Sequence, residues 1–155
     1  MSSGIRQSML ALLVAAVVSS ALWRVPAEAS ATRATAYADS AFRATNVHRA
    51  DQGRVQLREA ACLTRMAERW ARHMARTGRM VHQDLEPIIR RCELSMVGEN
   101  IAVGYSSGRA VVKRGWMHSE GHRANILRRE YRLMGIGAAR DSNGRWWASQ
   151  VFGRS

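Results

Sequence analysis

The pattern of apolar and polar positions predicts helices in the first half of the chain and strands near its end. Apolar side chains recur at helical spacing at Tyr37, Ala41, Ala44 and Val47. The pattern ends near Gly53, so we expect a first helix over this stretch. Residues 32–39 are small and polar, and they are expected to form a loosely docked or disordered terminus.

A second helix is predicted from a longer apolar stripe. Its members share helical spacing and are Leu57, Ala60, Leu63, Ala67, Trp70, Ala71 and Met74. Arginine and glutamate fill much of the opposite face, and Gly78 follows as a C-terminal cap. His82 comes directly after this glycine stop, so we expect it in a loop or strand entry. Residues 85–91 are expected to form a short helical turn.

The second half of the chain combines one more helix with strands. Residues 95–104 form an apolar run that predicts a strand. Residues 110–118 predict a third helix, which the polar stretch 119–125 follows, with Gly121 loosening the geometry. Two further strands, joined by a turn, are predicted at 133–140 and 146–152. Helices followed by late strands indicate an α+β domain in which helices cover a mostly antiparallel sheet.

The charge of the chain is strongly positive. Lys and Arg number 24 against 12 Asp and Glu, which gives a net charge of +12. Such a field attracts anions, so an anionic envelope component is a candidate partner. Nearly all the basic residues are arginine, with Lys113 as the single lysine, and this uniformity also fits a compositional bias. No basic block is interleaved with aromatics, so dedicated nucleic-acid binding is not expected.

The N-terminus has the layout of a secretory signal peptide. Arg6 precedes an apolar run from Met9 to Ala21, and small residues follow at 27–31. A membrane anchor is the alternative, but the run is shorter than the ~20 residues that a spanning helix needs. We therefore expect a signal peptide and cleavage region over 1–31, a single domain over 32–155, and a secreted protein.

The two cysteines, Cys62 and Cys92, fit that compartment. An even, minimal count in a secreted domain indicates one disulfide. Closing a loop of this size would stabilise the fold by about 3–4 kcal/mol. Two buried free thiols are the alternative.

The polar chemistry of the chain is concentrated in Trp116 to Leu127. If this stretch is helical, His118 and His122 lie one turn apart, which is a spacing that two zinc ligands use. It is not the metalloprotease arrangement, because Glu120 stands two residues after the first histidine rather than one. Glu99 is a further candidate, since a carboxylate inside an apolar run needs a cation, hydrogen-bond donors or water.

The order of these motifs resembles the CAP superfamily of cysteine-rich secretory, antigen 5 and pathogenesis-related 1 proteins, in its bacterial SCP-like form. The resemblance rests on the loop histidine His82, on Gly98-Glu99-Asn100, and on Gly121-His122-Arg123-Ala124-Asn125-Ile126-Leu127. It covers roughly residues 37–152. It implies a three-layer α-β-α sandwich whose central cleft is lined by two histidines and two acidic residues, which in some members hold zinc or another divalent cation.

Carried over by residue, the resemblance implies a ligand cleft of His82, Glu99 and His122, with His82 and His122 as metal ligands. The chain departs from the family at the fourth position. Many members have a glutamate three residues after the helix tryptophan, whereas here Ser119 follows Trp116 at that distance and Glu120 comes one later. One residue turns a helical side chain by about 100°, so Glu120 is the least certain member of the cleft.

These residues predict a secreted CAP-domain protein whose cleft binds a divalent cation, Zn²⁺ foremost, together with a lipid or cell-wall-derived ligand. The alternative is a metal-dependent extracellular hydrolase of peptides or envelope polymers that uses the same cleft, with Glu99 as the general base toward a metal-bound water. A third interpretation is a hydrogen-bonded polar core with no ligand.

Overall fold

The computed structural model describes residues 27–155. The helices are α1 (Ala27–Asp51), α2 (Ala61–Thr77), α3 (Glu86–Arg91), α4 (Gly108–Ala110) and α5 (Glu120–Leu127). The strands are β1 (Arg58–Glu59), β2 (Met96–Val103), β3 (Leu133–Arg140) and β4 (Trp146–Arg154). Most of the predicted signal peptide lies outside the described residues. Within the described part, no helix combines the length and apolar character that crossing a membrane requires.

The four strands form one sheet in the order β1-β3-β4-β2. The short β1 pairs parallel with β3, and the other two pairings are antiparallel. On one face, α2 packs through Leu63 and Ala67 against Val151. On the other face, Phe152 joins a core that includes α1, α5 and the segment between α4 and α5. The α+β class and the α-β-α layering are therefore confirmed.

The contact between α2 and β3 depends on two glycines of the sequence Gly135-Ile136-Gly137. A Cβ atom on Gly135 would lie 2.1 Å from the backbone nitrogen of Thr64, and one on Gly137 would lie 2.1 Å from that of Glu68. The helix therefore lies with its backbone directly on the strand. Gly78 ends α2 as predicted, with a left-handed φ of 66° and its N–H bonded to the carbonyl of Met74.

The predicted disulfide between Cys62 and Cys92 is present, with a Cα–Cα distance of 5.8 Å. It joins the first turn of α2 to the end of α3, just before β2 begins. The disulfide therefore closes a loop that contains His82, and it ends seven residues before Glu99 in the sequence.

The expectation of a loosely docked terminus at 32–39 is wrong, because α1 already includes these residues. Alanine is the best helix former, and the segment is rich in it. Tyr37 fixes the segment to the domain, since its ring packs on Trp146 and its hydroxyl donates to the carbonyl of Tyr105. The predicted apolar stripe is also rotated, because Val47 is 57% exposed while Asn46 is buried.

Arg49, on the last turns of α1, is fully buried although no carboxylate among the described residues pairs with it. Its guanidinium donates to the carbonyls of Val55, Ile126 and Arg128. Burial lowers the pKa of this group, and the nearby Arg132 and Arg54 lower it further. The carbonyl end of α5 is favourable for a cation, so Arg49 fixes α5 to α1.

The third helix predicted to run to about His118 is not one regular α-helix. The chain forms α4, a π-helical turn over Val111–Gly115 and a 3₁₀ turn over Trp116–His118, and Ser119 then adopts an extended conformation before α5. Gly115 contributes to the irregularity, because the ring of Tyr105 fills the place where its Cβ would stand. The buried indole of Trp116 donates to the carbonyl of Ile101 over 3.1 Å, which attaches the irregular segment to β2.

Candidate functional site

The buried carboxylate of Glu99 is the centre of the candidate site. Its side chain is 1% exposed and lies on the central part of β2. Oε2 accepts from the Nδ1 of His82 over 2.8 Å and from the backbone N–H of Gln83 over 3.2 Å. Oε1 accepts from the Nε2 of Gln83 over 2.6 Å and from the hydroxyl of Ser149 over 3.0 Å. The carboxylate is thus satisfied entirely by hydrogen-bond donors.

His82 lies in the loop between α2 and α3, and its side chain is 60% exposed. The loop is attached to α2 by the indole of Trp70, whose Nε1 donates to the carbonyl of Val81 over 2.8 Å. Because a carboxylate can only accept, the Nδ1 of His82 carries the proton of the bond to Glu99. The Nε2 of a neutral His82 is therefore the nitrogen with a free lone pair, and it faces away from Glu99.

His122 lies on α5 and is half-buried. Burial lowers its pKa below the ordinary value of 6.5, and the charge of His82 lowers it further. Its backbone is held by Asn100, whose Nδ2 donates to the carbonyl of His122 over 3.1 Å. Asn125 donates in turn to the carbonyl of Glu99 and to Oδ1 of Asn100. The structure therefore joins His82 to Glu99 directly, and it attaches the helix that carries His122 to β2 beside Glu99. A shared ligand cleft of the three side chains stays a prediction.

Glu120 and His118 are placed differently. Glu120 is the first residue of α5 and is exposed, with no hydrogen bond or ion pair to the site among the described residues. Its membership of the ligand cleft stays a prediction. His118 ends the 3₁₀ turn and is exposed, and the extended Ser119 separates it from the helix of His122.

Sequence reasoning missed two donors to the carboxylate, Gln83 and Ser149. Gln83 directly follows the candidate histidine, and this adjacency was the only local signal. Ser149 is a small polar residue in the apolar last strand, two positions along the strand from Val151, which is the pairing partner of Glu99. Side chains two apart point to the same face of a strand, so this spacing was a usable signal once the pairing was known.

The resemblance implies a bound metal such as zinc, which needs side chains that are free to coordinate it. Among the described residues, no group of three or more His, Cys, Asp and Glu side chains is arranged to hold a metal ion. Both oxygens of Glu99 are already occupied by donors. Glu99 is therefore placed to orient His82 rather than to be a metal ligand itself. A cation held by the two imidazoles of His82 and His122 stays a prediction.

A groove of about 260 Å³ continues from His122 along the outer side of β2. Its lining residues are mainly apolar and are Met80, Ile101, Ala102, Val103, Tyr105, Gly115, Trp116, Ser119 and His122. Met80 and the neighbouring Val81 are exposed at this side of the molecule, at 53% and 40%. An apolar surface therefore adjoins the imidazole of His122.

An α-β-α sandwich with a histidine–glutamate cleft between its loops defines a CAP domain. The chain matches the model of the cysteine-rich secretory protein family over residues 42–152, and it belongs to this family.

Proteins that are similar to this chain include several from bacteria. The uncharacterized protein YkwD of Bacillus subtilis (strain 168) is 31% identical over 146 residues, which cover 84% of this chain and 56% of YkwD. An extracellular protein containing a SCP domain from Bacillus anthracis str. Ames has a TM-score of 0.74 at 23% identity, over 85% of this chain and 45% of that one. A cysteine-rich secretory protein of Staphylococcus aureus subsp. aureus Mu50 has a TM-score of 0.66 at 20% identity, over 79% and 40%. The chain thus spans about half the length of these relatives.

Proposed function

We propose that this protein is a secreted binding protein whose cleft holds a divalent cation, with Zn²⁺ as the best fit, between His82 and His122. The observation that carries the proposal is the 2.8 Å bond between His82 Nδ1 and Glu99 Oε2. This bond fixes the tautomer and orientation of His82 and directs its Nε2 lone pair outward. Carboxylate–histidine pairs of this kind raise the basicity of a metal-binding imidazole.

Imidazole nitrogen suits zinc better than it suits calcium or magnesium, which prefer oxygen ligands. Two protein ligands leave further coordination positions for water or for an atom of a bound molecule, so we expect moderate affinity. A bound zinc ion would supply Lewis-acid attraction for an oxygen or nitrogen of that molecule. The protein's own contribution is to orient His82 through Glu99 and to keep His122 neutral through burial.

Binding is favoured over hydrolysis because of the state of Glu99. A general base needs a carboxylate oxygen within hydrogen-bond reach of the water that it deprotonates. Each oxygen of Glu99 already accepts two hydrogen bonds, and the side chain is 1% exposed. Proton transfer to Glu99 would require these bonds to rearrange. No observation on the described residues favours the hydrolase alternative.

The ligand of the cleft is proposed to be a lipid or a cell-wall-derived molecule with an apolar portion. The apolar groove beside His122 supports this, since it would cover such a portion while the histidines contact the polar end. Secretion is supported by the signal-peptide layout of residues 1–31 and by the disulfide, which persists in oxidising compartments. Removal of the signal peptide would also remove the first residues of α1.

Thermal unfolding with and without Zn²⁺ tests the cation site. A ligand that binds the folded state only stabilises it by about 2.7 kcal/mol at roughly 100-fold excess over Kd. We expect zinc to raise the unfolding midpoint of the wild type but not that of the double variant His82→Ala/His122→Ala. His118→Ala is the matched control, because it removes an exposed histidine outside the cleft, and it should respond as the wild type does.

An unchanged wild-type midpoint, or an equal rise in the double variant, would contradict the cation site. Circular dichroism of each variant establishes that it is folded. Hydrolysis of a peptide or envelope polymer that disappears in a folded Glu99→Gln variant would instead support the hydrolase.

A further inference from the structure

A second concave surface, separate from the apolar groove, lies beside the loop that follows α2. It encloses about 500 Å³ between α2 and the loop that follows it. Its lining residues are Arg69, Trp70, Arg72, His73, Arg76, Gln83 and Asp84, and we refer to them as the arginine groove. None of these residues is a proposed metal ligand.

Three guanidinium groups share one side of this groove. Arg69, Arg72 and Arg76 stand at positions i, i+3 and i+7 of α2, so they lie on one helix face. The rise of 1.5 Å per residue spaces successive members about 4.5 and 6 Å apart along the helix axis. The three side chains therefore form a row of positive charge about 10 Å long.

The positive charge of this row is only partly compensated. Arg72 pairs with Glu68 at 3.7 Å, and both side chains of this pair are largely exposed, at 60% and 44%. Among the described residues, neither Arg69 nor Arg76 forms an ion pair with a carboxylate. Asp84 is the single acid that lines the groove, and its Oδ1 already accepts from the backbone N–H of Glu86. One nitrogen of the Arg69 guanidinium donates to the Sδ of Met66 over 2.6 Å. The other N–H groups of Arg69 and the fork of Arg76 thus remain available to an anion.

The floor of the groove is rigid before any ligand arrives. The rings of Trp70 and His73 stack with their centroids 4.6 Å apart and an interplanar angle of 15°. The indole N–H of Trp70 is also bonded to the carbonyl of Val81. Little ordering of the aromatic pair or of the loop is therefore required on binding, which lowers the cost of association.

We propose that the arginine groove binds a linear phosphate-bearing polymer. A guanidinium fork matches two oxygens of one phosphate, and a row of such forks matches a chain of phosphates with a comparable repeat. A nucleic acid fits less well, because it is bound through successive aromatic platforms, whereas the groove offers one aromatic pair whose facing ring surfaces cover each other. The inference goes beyond the cation cleft and does not depend on it.

The groove is nevertheless connected to the cleft. Gln83 forms part of its wall, and the same side chain donates to Oε1 of Glu99 over 2.6 Å. A polymer in the groove would therefore contact the segment that also carries His82. The arginine groove and the proposed cation cleft therefore share residues of one loop.

Isothermal titration of the purified protein with short-chain inorganic polyphosphate, in the presence of a chelator, tests the proposal. The variant Arg69→Gln/Arg76→Gln removes the two guanidinium groups of the row that form no ion pair with a carboxylate. The control Arg58→Gln/Arg154→Gln removes the same charge from exposed residues at the other end of the sheet, where Arg58 pairs with Leu133 and Arg154 pairs with Met96. Both variants replace surface side chains, and their melting midpoints verify that they fold.

We expect polyphosphate to bind the wild type, to bind the groove variant at least about tenfold more weakly, and to bind the control within about twofold of wild type. An equal loss in both variants would overturn the proposal, since it would show attraction by net charge alone. Absence of polyphosphate binding would overturn it too. If a single-stranded oligonucleotide of matched charge bound more tightly than polyphosphate, the proposal would be overturned and the groove would be a nucleic-acid site. A separate measurement of the unfolding midpoint of the groove variant with and without Zn²⁺ shows whether zinc binding is independent of the arginine groove.

Discussion

The carboxylate of Glu99 accepts hydrogen bonds from His82, Gln83 and Ser149, which come from two segments far apart in the chain. A buried charge without partners costs several kcal/mol, so each of these donors stabilises the fold as well as the site. The carboxylate therefore needs no metal to be tolerated in the interior. Its effect on a bound cation is indirect and acts through the orientation of His82.

A pH titration of stability tests the environment of His122. Burial, followed by the charge of His82, lowers its pKa in the folded state below 6.5, so the unfolded chain takes up this proton more readily. The contribution of His122 is fully present above pH 6.5 and is lost as the pH falls toward the lowered pKa. In metal-free protein, we expect His122→Gln to flatten the dependence of the unfolding free energy on pH between about 7.5 and 5.

The measurement is urea unfolding at several pH values with a chelator present. His118→Gln is the matched control and should retain the wild-type slope, because His118 is exposed. A wild-type slope in His122→Gln would contradict the assigned environment.

At the scale of elements, the packing of α2 on β3 predicts opposite effects for two glycine substitutions. Gly137→Ala would place a methyl group 2.1 Å from the backbone nitrogen of Glu68, so helix and strand must separate. We expect a loss of about 1–3 kcal/mol or more in unfolding free energy. Gly121→Ala in α5 meets no atom within 4 Å, and it should stabilise the protein by about 0.5–1 kcal/mol.

Chemical denaturation of the two variants provides the comparison. Similar midpoints for both would show that α2 and β3 are not in direct backbone contact. His122 stands next to Gly121, so a zinc titration of Gly121→Ala also reports whether a stiffer α5 changes the cation site.

The elements that the sequence predicts well are those whose pattern depends on local spacing. The stripe of α2 and its stop at Gly78, and the hairpin of β3 and β4, follow from periodicity and turn residues. The segment 108–119 does not follow from such a local pattern. Its π-helical and 3₁₀ turns accompany the packing of Tyr105 on Gly115 and of Trp116 on β2. Arg49 was likewise unpredictable, since an arginine in a helix is ordinarily exposed and only the tertiary position of α5 supplies its acceptors.

The sequence likewise predicted some residues of the candidate site and missed others. The motifs identified His82, Glu99 and His122, and the structure shows the hydrogen bond between His82 and Glu99 and the attachment of the His122 helix to β2. The donors Gln83 and Ser149 depend on strand pairing and loop conformation, which no local pattern encodes. The departure at Glu120 was visible in the sequence spacing, and the residue is exposed in the structure.

At the scale of the whole molecule, a chain of side-chain amides runs from α5 through the strands β2 and β4 to α1. Asn125 donates to Asn100 over 3.0 Å, and Asn100 donates to Gln150 over 3.0 Å. Gln150 then donates to the hydroxyl of Thr45 over 2.8 Å. Asn125, Asn100 and Gln150 each donate through their own NH₂ group. The helix that carries His122 is therefore connected through β2 and β4 to α1.

Asn100→Leu should disrupt this chain at its centre. The substitution leaves Oε1 of Gln150 and the carbonyl of His122 without the donor that they have now. We expect a loss of about 2–5 kcal/mol in unfolding free energy, from two unsatisfied acceptors. Asn143→Leu, in the exposed hairpin turn, is the control and should change stability by less than about 0.5 kcal/mol. Equal effects in urea unfolding would show that the chain carries no such energy.

Strand β2 is an outer strand of the sheet, yet its free side does not present an open row of acceptors. The carbonyls of Glu99 and Ile101 are occupied by the side-chain donors Asn125 and Trp116. An outer strand with unoccupied backbone groups is a template on which another chain can add a strand, and such additions lead to aggregation. The residues that hold His122 and the irregular segment in place therefore also protect the molecule from polymerising through its functional edge.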